Sequence, residues 1–278
     1  YQLKGESDKA IADYSEAIRI KPDLALAYNN RGVTYGDLDQ CYKAIADCTE
    51  AIRIKPDDAD AYNNRGNAYN KAGEYDKAIA DYSEAIRIKP DFADAYINRG
   101  NAYGKEGELD KAIVDYTEAI RIDPDDADAY YNRGEAYFYL EEYDKSISDC
   151  TEAIRIKPDY AEAYDTRGLA YRLKGESDKA IADYTEAIRI DPDDALAYYN
   201  RGVTYGDLDQ YDKAIADCTE AIRIKPDLAL AYNNRGNAYD ELGQSDKAIA
   251  DYTEAIRINP DYAKAYYNRG GTYGDLDQ

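Results

Sequence analysis

Apolar and polar positions recur with a helical period along the whole chain, and the pattern itself repeats. Between Ala59 and Phe92, the residues Tyr75, Ala78, Ile79, Tyr82, Ala85 and Ile86 fall at i, i+3, i+4, i+7, i+10 and i+11, one apolar face of an α-helix. Ahead of them, Tyr62, Arg65, Gly66 and Tyr69 line one side of an earlier helix, with the small residues Ala61 and Ala68 beside them where another helix can approach closely. The spacing predicts a first helix over residues 59–72, N-capped by Asp57 or Asp58 after Pro56 and ended by Gly73. A second helix follows over about residues 76–88, closed by Pro90. So short a turn makes the two an antiparallel hairpin. A lone hairpin cannot bury both faces, so neighbours must stack.

The stacking is long. The eight prolines, Pro22, Pro56, Pro90, Pro124, Pro158, Pro192, Pro226 and Pro260, are each 34 residues apart, and 278 residues make eight such periods plus six. Self-similarity of this kind excludes one or two ordinary globular domains and reads as a single array over residues 1–278. Its units are 25–58, 59–92, 93–126, 127–160, 161–194, 195–228 and 229–262, with partial units 1–24 and 263–278 and no linker between them. Tyr1 is in register with Tyr69, and Gln278 follows a first helix, so both ends read as cut from a longer array. Residues 3–14 recur at 173–184 and residues 32–40 at 202–210, both at an offset of 170, which is five periods and suggests block duplication.

The opposite face of the first helix carries Asp60, Asn63, Asn64, Asn67, Asn70 and Lys71, about 180° from Tyr62 and Tyr69. It reads as polar and free of packing duty, a ribbon of side chains for something else to bind. Its most regular member is an asparagine ladder, Asn30, Asn64, Asn98, Asn132, Asn200, Asn234 and Asn268, broken once by Thr166. An amide both donates and accepts, so it can hold a peptide backbone of any sequence; the alternative is that the asparagines bond neighbouring helices. In the middle of the chain, Tyr131, Phe138 and Tyr139 replace polar residues, and the next repeat adds Leu169, Arg172 and Leu173. Aromatic residues and arginine in a central patch favour an interface anchor; alternatively, Phe138 and Leu173 fold over against adjoining helices. Asp60, Asp94, Asp128 and Glu162 hold one inward position in successive repeats, which suits a basic partner segment or simply a solvated surface. The Asp-rich turns at 123–126 and 191–194 follow helix-capping logic and lack the spacing of a calcium loop.

These features resemble the tetratricopeptide repeat (TPR) family over the whole chain. Gly66, Tyr69, Ala78, Tyr82, Ala85 and Pro90 match its signature positions, and Tyr62 stands where the family usually has tryptophan. The resemblance implies an all-α fold, a right-handed superhelical solenoid of antiparallel helix pairs, with the first helices lining a concave groove that binds an extended peptide or partner helix. The ladder is also similar to the asparagine-lined superhelix of O-linked N-acetylglucosamine transferases. Two departures stand out. Where the family has leucine, every repeat has arginine: Arg31, Arg65, Arg99, Arg133, Arg167, Arg201, Arg235 and Arg269. A charge bordering the buried side needs a partner, and the recurring Asp13, Asp47, Asp81, Asp115, Asp149, Asp183, Asp217 and Asp251 are the candidates. Second, Asp39, Glu141 and Asp209 replace the turn glycine, which should alter the turn locally. Relatives that clamp a chaperone's terminal carboxylate use inward lysine and arginine; this chain offers Asn63, Ile97 and Tyr131 with Asp94 and Asp128 nearby, so such a ligand is not expected.

Composition narrows the chemistry. There is no histidine, the usual general base and zinc ligand. Lys+Arg 35 against Asp+Glu 57 gives −22, unsuited to nucleic acid or anionic membrane. Cys48, Cys150 and Cys218 replace Tyr82 a whole number of repeats apart, and Cys41 lies about 10 Å along the helix from Cys48, too far for a disulfide. Reduced thiols packed as small apolar groups point to a cytoplasmic protein. No nucleophile sits beside a base and no phosphate loop appears, so neither enzyme activity, cofactor nor metal is expected. The leading expectation is a protein–protein interaction scaffold that binds a peptide or partner segment, basic or polar, in its groove. Alternatives are a substrate-recruiting arm of a larger, glycosyltransferase-like enzyme, and an array that associates with itself end to end.

Overall fold

Period and capping translate directly into helices. A computed structural model describes residues 2–276, with side chains from Glu6 onward; Tyr1 and Gln278, which frame the array, lie outside the described residues. All elements among the described residues are α-helices. The first helices of the hairpins are α2 (Ala25–Asp37), α4 (Ala59–Lys71), α6 (Ala93–Lys105), α8 (Ala127–Tyr139), α10 (Ala161–Leu173), α12 (Ala195–Asp207), α14 (Ala229–Glu241) and α16 (Ala263–Leu276). The second helices are α1 (Gln2–Ile20), α3 (Cys41–Ile54), α5 (Tyr75–Ile88), α7 (Leu109–Ile122), α9 (Tyr143–Ile156), α11 (Ser177–Ile190), α13 (Tyr211–Ile224) and α15 (Ser245–Ile258). They gather into two compact units, residues 1–136 and 137–278, the division falling inside α8. Within each unit, the first helices α2, α4, α6, α10, α12 and α14 each pack on the second helix of their own hairpin and on that of the hairpin before.

In the first unit, Ala78, Tyr82 and Ala102 form one buried cluster with Tyr69 and Ile79 against it, and Ala85, Phe92 and Ala95 form another with Ala59. Gly66 is needed for this approach: a Cβ there would lie 2.6 Å from the Tyr82 ring. Gly100 meets Tyr116 in the same way, and in the second unit Gly168 meets Tyr184 and Gly236 meets Tyr252. Where cysteine replaces the tyrosine, the glycine persists, with Gly32 against Cys48 and Gly202 against Cys218. The thiols are thus core atoms; burial pushes Cys48, Cys150 and Cys218 up to about 12.

Six of the repeated arginines, Arg31, Arg65, Arg99, Arg167, Arg201 and Arg235, each hold three helices together. Arg99 on α6 reaches Asp115 on α7 through two hydrogen bonds, Nε to Oδ2 at 2.8 Å and Nη2 to Oδ1 at 2.7 Å. Its Nη1 donates to Ser83 Oγ on the preceding second helix at 3.0 Å, and its guanidinium stacks on the Tyr96 ring at 5.6 Å. The same bidentate pair joins Arg31 to Asp47 and Arg65 to Asp81 in the first unit. In the second unit it joins Arg167 to Asp183, Arg201 to Asp217 and Arg235 to Asp251. Hydrogen bonding to Asp115 raises the Arg99 pKa against the opposing effect of desolvation. The inter-helix ion pair expected from the sequence is therefore present at these six arginines, whereas Arg269 on α16 donates to Thr253 Oγ1 on the preceding helix at 3.0 Å.

The turns depart from expectation. Asp39, Glu141 and Asp209 adopt φ of 56°, 61° and 57°, the left-handed conformation of Gly73 at 76°. Gln40 N–H donates to Tyr35 O at 2.9 Å, and Glu74 N–H donates to Tyr69 O at the same distance. The turn is unchanged because the helix-ending hydrogen bond imposes it; the substituted residue bears the strain instead. Asp and Asn tolerate this conformation better than glutamate. The left-handed penalty of about 1–2 kcal/mol exceeds the roughly 0.5–1 kcal/mol that glycine loses in unfolded-chain entropy. Glu141→Gly is therefore expected to stabilise the protein by about 0.5–1 kcal/mol in denaturant unfolding, and Gly73→Ala to destabilise it by a similar amount.

Candidate functional site

The polar stripe of the first helices is not free of packing duty. In the first unit Asn64 Nδ2 donates to Asn29 Oδ1 and Asn98 Nδ2 to Asn63 Oδ1, both at 3.1 Å, so the ladder forms rungs between successive first helices. Asn29 and Asn63 are buried. In the second unit Asn268 donates to Asn233 at 3.1 Å and to Asn237 at 2.8 Å, and Asn200 to Asp165 at 3.3 Å. Asn67 accepts from the Tyr82 hydroxyl at 2.8 Å, and Lys71 donates to Gly36 O at 2.9 Å. Small residues bring the first helices close enough for their inward side chains to meet. The rungs from Asn64 and Asn98 each use one amide hydrogen, and an asparagine has two, with two acceptor lone pairs besides, whereas Asn268 donates to two acceptors. All seven ladder residues, Asn30 and Asn132 among them, are partly exposed.

The patch residues divide. Tyr131 belongs to the first unit and donates its hydroxyl to Glu135 at 3.3 Å. In the second unit Phe138 is half-buried, edge-on to Tyr139 at 5.8 Å and against Tyr143 of α9 at 5.8 Å. Tyr139 and Leu173 are exposed, at 65% and 49%. Arg172 turns to Asp207 on α12, Nη1 to Oδ2 at 3.4 Å, and its Nε is buried without a hydrogen-bond partner. Leu169 replaces the asparagine that accepts from Tyr82 in the first unit, and the buried Tyr184 hydroxyl accordingly has no acceptor.

Several inward residues go beyond the sequence reading. At the position of Asp60, Asp94, Asp128 and Glu162, all exposed, three repeats carry exposed Leu26, Leu196 and Leu230. Comparing that one position across repeats would have revealed them. Two equivalent clefts open where glycine replaces a larger inward residue. In the first unit, Gly36 and Val33 of α2 face Asn64, Asn67 and Lys71 of α4 across a cleft of about 270 Å³. In the second unit, Gly206 and Val203 of α12 face Asn234, Asn237 and Glu241 of α14 across about 380 Å³, with Arg172 and Lys264 also lining it. The Asp-rich turns act as caps: Asp126 accepts from Asp128 N–H at 2.9 Å and Asp194 from Leu196 N–H at 2.8 Å. Among the described residues no group of three or more His, Cys, Asp or Glu side chains is placed to hold a metal ion, and no helix is long and apolar enough to cross a membrane.

Among the rungs of the described residues, Asp165 is the one carboxyl acceptor. Burial raises its pKa to about 6, with the Asn200 hydrogen bond opposing and Asp194 adding to the rise. An acid whose folded pKa lies above its unfolded value of about 3.9 favours folding when protonated, so stability falls as pH rises from about 4 to 6. Asn29, Asn63 and Asn233 fill the same place elsewhere. Asp165→Asn should therefore raise stability at pH 7 by about 1–3 kcal/mol and change it little near pH 4, as read by denaturant unfolding at the two pH values.

Comparisons with known proteins agree with this architecture. The TPR repeat model matches residues 1–39, 66–107, 100–140 and 168–209. Tetratricopeptide repeat models match 25–58, 48–80, 127–160, 195–228 and 229–262. A search of curated proteins gave no significant match. The chain is similar to the solved structure of YrrB, described as a TPR protein with an unusual peptide-binding site, at 29% identity and TM-score 0.57, covering 66% of this chain and 95% of that one. It is similar in fold to the APC/C hetero-tetramer Cut9-Hcn1 at 18% identity and TM-score 0.69; the match covers 94% of this chain but only 52% of that one, so the chain spans about half its length. A tetratricopeptide repeat protein from Parabacteroides merdae matches at 19% identity and TM-score 0.65, over 90% of this chain and 98% of that one. With the TPR repeat model matching over half of its residues and the hairpins packed as the period requires, the chain belongs to the tetratricopeptide repeat family.

Proposed function

We infer that this protein is a non-catalytic interaction scaffold whose first helices bind an extended peptide or partner segment. The observation that carries the reading is the inward surface of those helices. It presents partly exposed asparagines with hydrogen-bonding capacity beyond their rungs, interspersed with the exposed apolar side chains Leu26, Leu196, Leu230 and Leu173. Such a surface suits a ligand held mainly through its backbone and anchored at a few side chains. The peptide-binding site named for YrrB, a relative at 29% identity, supports the same use of the fold. The acidic residues at Asp60, Asp94, Asp128 and Glu162 would speed the approach of a basic segment.

Phe138, Tyr139 and Leu173 are the anchor in this reading. Peptides selected by display against the full chain provide the ligands for a test. Phe138→Ala combined with Leu173→Ala should weaken the selected peptides by more than about tenfold. Unchanged affinity removes the anchor, and selected peptides that are insensitive to every first-helix substitution remove the groove reading itself.

A further inference from the structure

The two equivalent clefts differ in a way that bears on what the second one accepts. One wall of each is built from the same sequence, residues 32–40 in the first unit and 202–210 in the second. The left-handed residue in that wall is the same as well, Asp39 at φ 56° and Asp209 at φ 57°. In the first unit an ammonium already sits against the wall. Lys71 donates to Gly36 O at 2.9 Å and stands 3.9 Å from Asp39 Oδ1. Gly36 lies in the last turn of α2, where outward-facing carbonyls favour a cation. That carbonyl takes the ammonium while also accepting from Asp39 N–H at 3.1 Å.

In the second unit the wall keeps its ammonium acceptors. Gly206 lies in the last turn of α12 and its carbonyl accepts from Asp209 N–H at 3.0 Å, as in the first unit. The residue in register with Lys71, however, is Glu241, so the built-in cation has become a carboxylate and the cleft is larger. Arg172 and Lys264 also line it, and Arg172 directs its charge to Asp207. Asp209 accepts from the Tyr211 hydroxyl through one oxygen at 2.7 Å. Asp207 and Glu241 line the cleft with Arg172 and Lys264, and Asp207 already faces Arg172, so Glu241 and the Gly206 carbonyl are the acceptors left at the place that Lys71 fills in the first unit.

Building on the reading that the first helices bind a partner segment, we propose that the cleft between α12 and α14 receives a lysine side chain of that segment, seated where Lys71 sits in the first unit. The first cleft fills itself; the second is filled from outside. The partner's lysine would donate to Gly206 O and lie beside Asp209 and Glu241.

The test uses the full chain and a labelled Gly-Ser peptide carrying one central lysine, alongside the same peptide with norleucine in its place. Binding is read by fluorescence anisotropy, and its location by NMR shifts of the Gly206 and Asp209 amides. The lysine peptide should bind at least about tenfold more tightly than the norleucine peptide and shift both amides. Glu241→Lys, which supplies the cation from within, should cost at least about tenfold, whereas Glu106→Lys, an equal charge change at an exposed site in the other unit, should cost less than about twofold. Lys71→Glu should open a second site and raise the stoichiometry from one to two. Equal losses in Glu241→Lys and Glu106→Lys, or equal binding of the two peptides, would mean attraction by bulk charge and would overturn the proposal. If the lysine peptide leaves Gly206 unshifted while Phe138 and Leu173 still govern the display-selected peptides, the lysine receptor falls and the groove reading stands.

Discussion

The repeated arginine bracket is the constraint on which the hairpins depend. Its guanidinium lies mostly buried between helices, where an unpaired charge would cost several kcal/mol. Three partners remove that cost together: a bidentate aspartate on the second helix of the same hairpin, a serine or threonine hydroxyl on the preceding one, and a tyrosine ring beneath. Arginine suits this place because its planar fork bonds a carboxylate in parallel while its face stacks on an aromatic ring; lysine offers neither. A buried pair adds less net stability than a leucine of the same volume could. What the bracket adds is register, since the fork closes only when all three helices sit at one height.

The inward surface follows from that register. Glycine facing the Tyr82-type ring draws first and second helices together, and alanines bring successive first helices within reach of each other. Asparagine side chains then meet as rungs, and the rungs set the spacing of the hydrogen-bonding groups left over. Where one residue departs from the rule, chemistry appears: a carboxyl acceptor at Asp165, a tyrosine hydroxyl without an acceptor beside Leu169, a carboxylate at Glu241 in the register of Lys71. Variation between near-identical repeats therefore marks the places where the chemistry of this surface changes.

Much of this was legible in the sequence. A strict period fixes the hairpins, and any charge recurring at one phase must find its counter-charge at another fixed phase, which led from Arg65 to Asp81. The turns were misread because Asp39, Glu141 and Asp209 looked like a change of geometry. The backbone hydrogen bond closing each helix does not depend on which side chain occupies the turn. The stripe of Asn63, Asn64 and Asn67 was misread for a different reason. A helical wheel shows which way side chains leave one helix, but not how closely the next helix approaches. Lys71 bonding across to Gly36, and the cleft left when Glu241 replaces it, belong to that inter-helix distance and so emerge only in three dimensions.

A double-mutant cycle on Arg99 and Asp115, with Arg99→Met and Asp115→Leu alone and together, tests the bracket most directly. Each single change leaves a buried group without its partner and should cost about 3–5 kcal/mol in denaturant unfolding. The double change should cost much less than the sum, with a coupling energy above about 2 kcal/mol. Additive losses within about 0.5 kcal/mol would show two residues that do not depend on each other, and would contradict the bracket as the organising contact.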